Sequence, residues 1–170
     1  SEQDDMLDGG NGDDFFLASG GSDTIDGGEG IDQVSYQFEV GAVTVDLAQG
    51  AAAKPDGTDT LTSIEMLRGS KAGDTLTGNE ANNVFRGLEG DDTIDGGGGT
   101  NEVRYDRDVN FGGNLGVLVD LDAGTAIDGF GDTDTLSNIQ RVRGSQFDDT
   151  LIGSSTDDNV LRGDGGKDTF

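Results

Sequence analysis

Residues 9–35 read GGNGDDFFL, ASGGSDTID and GGEGIDQVS, one nine-residue phrase written three times without a gap. Each copy contains a glycine-rich turn, places an Asp sixth (Asp14, Asp23, Asp32) and sets a large apolar residue eighth (Phe16, Ile25, Val34). Turn, carboxylate and core residue recur together, so this period organises the chain and takes precedence over any local pattern.

The phrase returns twice more. From Gly69 to Arg104 it runs GSKAGDTLT, GNEANNVFR, GLEGDDTID and GGGGTNEVR, with Asp74, Asn83, Asp92 and Asn101 sixth and Leu76, Phe85, Ile94 and Val103 eighth. From Gly144 it runs GSQFDDTLI, then a poorer copy out of phase by one residue and ending at Arg162, then GDGGKDTF, with Asp149 and Asp168 as the clear sixth-position acids. A degenerate copy carrying Asp5 precedes the first block. Two longer segments between the blocks match each other: AVTVDLAQGAA (42–52) pairs with VLVDLDAGTA (117–126), and GTDTLTSIEMLRGS (57–70) with DTDTLSNIQRVRGS (132–145). Their alternating Val and Leu residues (Val43, Val45, Leu47; Val117, Val119, Leu121) have the period of a strand with one buried face. The expectation is one elongated unit over 1–170, with repeat blocks at 1–35, 69–104 and 144–170 and longer irregular turns of the same structure at 36–68 and 105–143.

A turn of Gly, Asn and Asp that fills six of nine places leaves about three residues for a strand and reverses the chain. Two phrases then make one circuit. Phrases two apart stack as neighbouring parallel strands about 4.8 Å apart, which sets Asp14 beside Asp32, Asp5 beside Asp23, and Asp74 beside Asp92. Eighth-position side chains from two opposed sheets fill a thin core, while seventh- and ninth-position residues are expected to face water. No helical period appears.

Stacked carboxylates repel one another and would splay the turns. The glycines allow cramped turns that aim backbone carbonyls into small concavities, each with one Asp, and a cation there removes the conflict. The chain has no His and no Cys, so only oxygen donors are available and a soft transition metal is a poor candidate. Calcium accepts six to eight oxygens, carbonyls included, in flexible geometry, whereas magnesium keeps a tight octahedron and its waters.

The phrase resembles the GGxGxDxUx nonapeptide of the RTX (repeats-in-toxin) family, a calcium-binding β-helix repeat. The resemblance implies an all-β fold, a right-handed parallel β-roll or β-helix solenoid with calcium ions in its turns. It also implies a protein exported by the type I route, secreted or held at the surface of a Gram-negative bacterium, and folded outside the cell. The metal sites expected are the pairs Asp14 with Asp32, Asp74 with Asp92, and Asp149 with Asp168, then Asp5 with Asp23, each completed by turn carbonyls. The turn positions concerned are Gly9, Asn11 and Gly12; Gly20 and Gly21; Gly27, Glu29 and Gly30; Gly69, Lys71 and Gly73; Gly87, Glu89 and Gly90; Gly144 and Gln146; and Gly163 and Gly165. Asp59 and Asp134, sixth in degenerate phrases of the inserts, extend the set. Asn83 and Asn101 put neutral ligands where the family has Asp and predict weak or absent sites, as does the shifted copy at 154–162.

Composition narrows the partners. Ten basic against 35 acidic residues give a formal charge of −25, which excludes nucleic acid and anionic membrane as natural partners. Only 31% of residues are hydrophobic, so without metal the core is expected not to offset chain entropy and self-repulsion. There is no apolar run long enough to span or insert into a membrane. The acids sit at repeat positions, there is no His, and no nucleophile lies in a recognisable setting, so the chain is expected not to be an enzyme.

Two other roles fit the same residues. A stripe made by Arg86 and Arg104, with Arg68, Arg143 and Arg162 at equivalent places and Tyr36 and Tyr105 following corresponding strands, fits an acidic polysaccharide or cell-surface glycan. The plainer expectation is that these arginines balance neighbouring Asp residues. A rigid segment of an adhesin or surface layer is equally compatible with the repeats. The open ends of such a roll also invite end-to-end self-association.

Overall fold

Each turn delivers three extended residues whose middle side chain is large and apolar, and burial of that one side chain holds the strand. The computed structural model describes residues 3–170. Ser1 and Glu2, the first two residues of the block assigned to 1–35, lie outside the described residues.

Four strands come from the first block: β1 (Met6–Asp8), β2 (Phe15–Leu17), β3 (Thr24–Asp26) and β4 (Gln33–Ser35). The first insert adds β5 (Thr44–Asp46), β6 (Ala51–Lys54), β7 (Gly57–Thr62) and β8 (Met66–Arg68). The second block gives β9 (Thr75–Thr77), β10 (Val84–Arg86), β11 (Thr93–Asp95) and β12 (Glu102–Arg104). After a 3-10 turn at Asp108–Asn110 come β13 (Leu118–Asp120), β14 (Thr125–Ile127), β15 (Thr133–Ser137), β16 (Arg141–Arg143), β17 (Thr150–Ile152) and β18 (Val160–Arg162).

Successive phrases alternate between two sheets. One has seven parallel strands in the order β18-β16-β12-β10-β8-β4-β2, and the other has eleven in the order β1-β3-β7-β6-β5-β9-β11-β15-β14-β13-β17. The register is the nonapeptide period taken twice: Leu7 lies beside Ile25, Phe16 beside Val34, Leu76 beside Ile94, and Phe85 beside Val103. The eighth-position side chains Ile25, Val34, Leu76, Phe85, Ile94, Val103 and Leu151 are fully buried between the sheets.

The inserts stay within the sheet but are not merely longer turns. Each is an antiparallel meander spliced into the eleven-stranded sheet: β5 pairs β6 and β6 pairs β7, and likewise β13 pairs β14 and β14 pairs β15. The alternation at 43–47 is a strand face as expected, with Val43, Val45 and Leu47 all buried.

The expectation that ninth-position residues face water fails for part of the seven-stranded sheet. Ser35, Arg68 and Arg86 are buried. The start of the second insert folds over them: Asp106 meets Arg86, and the Phe111 ring centroid lies 5.3 Å from the Arg68 guanidinium, with Phe15 at 5.8 Å on the same cation. A guanidinium stacks on aromatic faces more readily than other cations, which suits Arg at this covered place.

Candidate metal turns

Because every sixth residue immediately precedes its strand, the two sheets carry two columns of sixth-position side chains, one along each edge of the roll. On the edge that feeds the eleven-stranded sheet, each backbone N–H donates to the carboxylate of the next turn. Asp5 donates to Asp23 Oδ1 at 2.9 Å, Asp23 to Asp59 at 2.9 Å, Asp74 to Asp92 at 2.8 Å, Asp92 to Asp134 at 3.2 Å, and Asp149 to Asp168 at 3.1 Å. On the opposite edge Asp14 donates to Asp32 Oδ1 at 2.7 Å. All of the predicted pairs are thus brought together, and Asp59 and Asp134 lengthen the Asp5–Asp23 and Asp74–Asp92 runs.

These hydrogen bonds use one carboxylate oxygen and leave the other. Oδ2 of Asp14, Asp32, Asp59 and Asp92 is buried with no hydrogen-bond partner. An anionic oxygen in that state is costly unless a cation meets it. Burial, opposed by the Asp74 backbone N–H and reinforced by Asp134, Asp74 and Asp128, pushes the Asp92 carboxyl up to about 9. Three of these oxygens lean over the first glycine of their own turn: a Cβ on Gly9 would lie 2.6 Å from Asp14 Oδ2 and one on Gly27 2.5 Å from Asp32 Oδ2, and one on Gly87 would collide with Asp92 Oδ2, whereas Asp59 has the Lys54 ammonium 3.4 Å from its Oδ1. Gly90, at φ +116°, is one of several turn glycines in a conformation that an L side chain rarely adopts.

Two predicted acids, Asp74 and Asp149, share a distinct set of three donors. Asp74 accepts from Ser70 N (2.6 Å), Ser70 Oγ (2.8 Å) and Val43 N (2.8 Å), and Asp149 accepts from Ser145 N (2.7 Å), Ser145 Oγ (2.6 Å) and Val117 N (2.8 Å). Both turns begin Gly-Ser, and both follow a meander whose first strand puts a valine, Val43 or Val117, in the column. Where a valine interrupts the carboxylate column its backbone N–H still donates to the next acid, and a serine adds two further donors.

The second edge contains residues that the sequence reading missed. Its column runs Asp14, Asp32, Glu65, Asn83, Asn101, Gln140 and Asn159, each residue preceding a strand of the seven-stranded sheet. Asp32 N–H donates to Glu65 Oε2 at 2.9 Å and Asn101 N–H to Gln140 Oε1 at 2.9 Å. The signal was present: Glu65 and Gln140 stand directly before MLR and RVR, strand triplets with a buried middle residue. Acids therefore occupy one end of this column and amides the other. The amides close their circuits unaided, since Asn101 Nδ2 donates to the carbonyls of Gly98 (2.8 Å) and Asn138 (3.0 Å).

The predicted carbonyl positions stack as well. Asn11 bridges Glu29 between turns, the Glu29 carbonyl accepts from Gly12 N–H at 2.7 Å, and the side chains of Lys71 and Glu89 pair at 3.7 Å. Among the described residues no three acidic side chains are already drawn to ligating distance, so turn carbonyls must supply much of any coordination shell. The donor set is wholly oxygen, which fits calcium.

The arginines form one ladder down the seven-stranded sheet at Arg68, Arg86, Arg104, Arg143 and Arg162, each with a partner close by. Arg86 pairs with Asp106 at 2.7 Å and Arg104 with Glu102 at 2.8 Å; Arg143 lies 3.5 Å from Asp106, Arg162 pairs with Asp164, and Arg68 donates to Gln37 at 2.8 Å. Four of the five arginines are thus paired with acids, whereas Arg68 is held by a neutral amide and two aromatic rings.

A two-sheet β-roll with carboxylates stacked along its turns defines a class of proteins: repeat solenoids built around cations. The family described as the RTX calcium-binding nonapeptide repeat matches residues 1–34, 68–103 and 143–170, more than half of the chain. The chain belongs to that family, whose repeats bind calcium, serve a structural role and are typical of secreted proteins. No curated protein matches the chain at a significant level. Among the described residues no helix is long and apolar enough to cross a membrane.

Proposed function

We propose that this chain is a structural module of a secreted protein that folds when calcium fills its turns. The observation that carries this reading is the set of buried, unpartnered carboxylate oxygens on Asp14, Asp32 and Asp92, each packed against the first glycine of its turn. Calcium would supply the counter-charge and link adjacent turns. The chain's own residues supply the rest: sixth-position acids hold the ion, first-position glycines leave room for the carboxylate, and eighth-position side chains form the core once the turns close. The net charge of −25 opposes compaction without metal. A metal that binds only the folded form adds its binding free energy to folding. Extracellular modules of this type bind calcium at roughly 10⁻⁴–10⁻³ M, so the chain stays unfolded in a low-calcium cytosol, passes a type I exporter, and folds outside.

A far-UV circular dichroism titration of chelated protein tests this, with magnesium as control. A cooperative gain of β signal at sub-millimolar to millimolar calcium is expected, and none with magnesium. A fully folded spectrum in excess chelator would overturn the reading.

A further inference from the structure

Lysine seldom leaves water unless it is paired, yet the side chain of Lys54 is wholly buried. It ends β6, the middle strand of the first meander, opposite Gly57, and Ala52 two residues before it lies opposite Asp59. Burial alternates along both strands, so Ala52, Lys54, Asp59 and Leu61 share the inward face. The sequence thus sets a cation on a core-facing position.

The ammonium donates to the Ser19 carbonyl and lies 3.4 Å from Asp59 Oδ1 and 3.5 Å from Asp56 Oδ1. Ser19 belongs to the turn that carries Asp23, and Asp59 is the next acid in that column, accepting from the Asp23 N–H. A cation that ties neighbouring turns together has to touch a carbonyl of one and a carboxylate of the next. The Lys54 ammonium touches both. Asp23 is satisfied as well, with the Asp5 N–H on Oδ1 and the Ser19 hydroxyl on Oδ2 at 3.2 Å. Asp59 Oδ2 has no hydrogen bond, so the charge of that acid is met by the ammonium, while the Asp56 side chain is 49% exposed and keeps its contact with water.

The second meander shows that this arrangement is particular to the first. Ala126 lies opposite Asp134 as Ala52 lies opposite Asp59, but the residue two places on is Asp128 and not a lysine. Further along the same column, Asp92 keeps a buried Oδ2 without a hydrogen bond.

We propose that Lys54 is a built-in counter-ion: its ammonium fills the place between the Ser19 turn and Asp59 that a metal ion would otherwise take, so this joint closes without calcium. The proposal rests on the reading that calcium fills other turns of the roll. A bound metal stabilises the fold only as far as its free concentration exceeds its dissociation constant. A tethered ammonium is present at high effective concentration whatever the calcium level. The junction between the first repeat block and the first insert is thereby taken out of the calcium switch, and Asp59 leaves the set of metal-holding acids.

Native mass spectrometry of the full chain at saturating calcium counts the ions, with circular dichroism to confirm folding. Lys54→Gln removes the charge, and this variant is expected to bind one calcium ion more than the parent. Adding Asp59→Asn to it is expected to restore the parent's count. A folded Lys54→Gln variant with an unchanged count would overturn the proposal. Should that variant fail to fold because Asp59 is left unpaired, the double variant decides, since neither charge remains: the parent's count upholds the proposal, and one ion fewer overturns it by showing that Asp59 already held a metal. A parent chain that binds no calcium at all would instead overturn the turn reading on which the proposal rests.

Discussion

Asn83 donates its backbone N–H to Oδ1 of Asn101 at 2.9 Å, the same relationship that joins Asp14 to Asp32 at 2.7 Å, yet the two pairs end differently. The second side-chain atom of Asn101 is a donor and reaches two turn carbonyls, whereas the second oxygen of Asp32 is buried without a partner. An amide in this column performs with its NH₂ group what a carboxylate needs a cation to perform. One edge of the roll therefore divides into an acidic stretch whose outer oxygens on Asp14 and Asp32 lack partners and an amide stretch in which Asn101 is satisfied within the protein.

Converting Asn83 and Asn101 together to Asp should extend the acidic stretch. In chelator the double variant is expected to lose stability, because an unsatisfied buried polar group costs about 1–3 kcal/mol. In calcium it should recover and bind one further ion, read by native mass spectrometry beside thermal melts. An unchanged ion count would show that turn identity, not side-chain charge, decides occupancy.

Neutralising single acids should separate the two kinds of carboxylate. Asp32→Asn removes a charge whose only remaining use is a cation, so the calcium midpoint of folding should rise several-fold. Asp74→Asn removes a carboxylate already held by Ser70 N, Ser70 Oγ and Val43 N, so its midpoint should move less. Equal shifts in the two titrations would reject the distinction.

The period made much of this legible in advance. Phe16, Ile25, Val34, Leu76, Phe85, Ile94 and Val103 are core because an apolar residue at one fixed place in nine can only face one way, and the Asp pairs follow from the same spacing. What the period could not show lies where the phrase is stretched. Glu65 and Gln140 hold column places without a glycine turn before them, so only the strand that follows marks them. Burial of Arg68 and Arg86 depends on a segment folding back from Asp106 to Phe111, a contact with no local signature. The meanders were visible as alternation, but their antiparallel pairing required knowing that Gly50 and Gly124, at φ +66° and +70°, turn the chain within the sheet.

Gly87→Ala should be disproportionately damaging for so small a change. Its new Cβ would collide with the carboxylate of Asp92, which is itself hydrogen-bonded to Asp74 and cannot retreat freely. Overpacking of this kind typically costs about 1–3 kcal/mol, and the displaced ligand should also raise the calcium midpoint. Gly41→Ala is the control: the nearest atom to its Cβ is Pro55 Cγ at 3.2 Å, the far edge of a side chain. Urea melts at saturating calcium should rank Gly87→Ala well below Gly41→Ala, and the reverse order would contradict the geometry.

Arg86 should prove to be a structural residue and not a surface ligand for an acidic polymer. It and Asp106 form a pair at 2.7 Å with side-chain exposures of 4% and 8%, beneath the fold-back of the second insert. Removal of one partner from a buried pair typically costs about 3–5 kcal/mol, because the other charge is left uncompensated. Arg86→Met and Asp106→Leu should each destabilise the calcium-loaded protein strongly, and the double variant should recover much of the loss because neither charge then remains. Arg162, with 68% of its side chain exposed, should tolerate Met with little change. If Arg86→Met instead leaves the urea midpoint unmoved, the pair does not hold the insert down, and the arginine ladder regains its claim to be a binding surface.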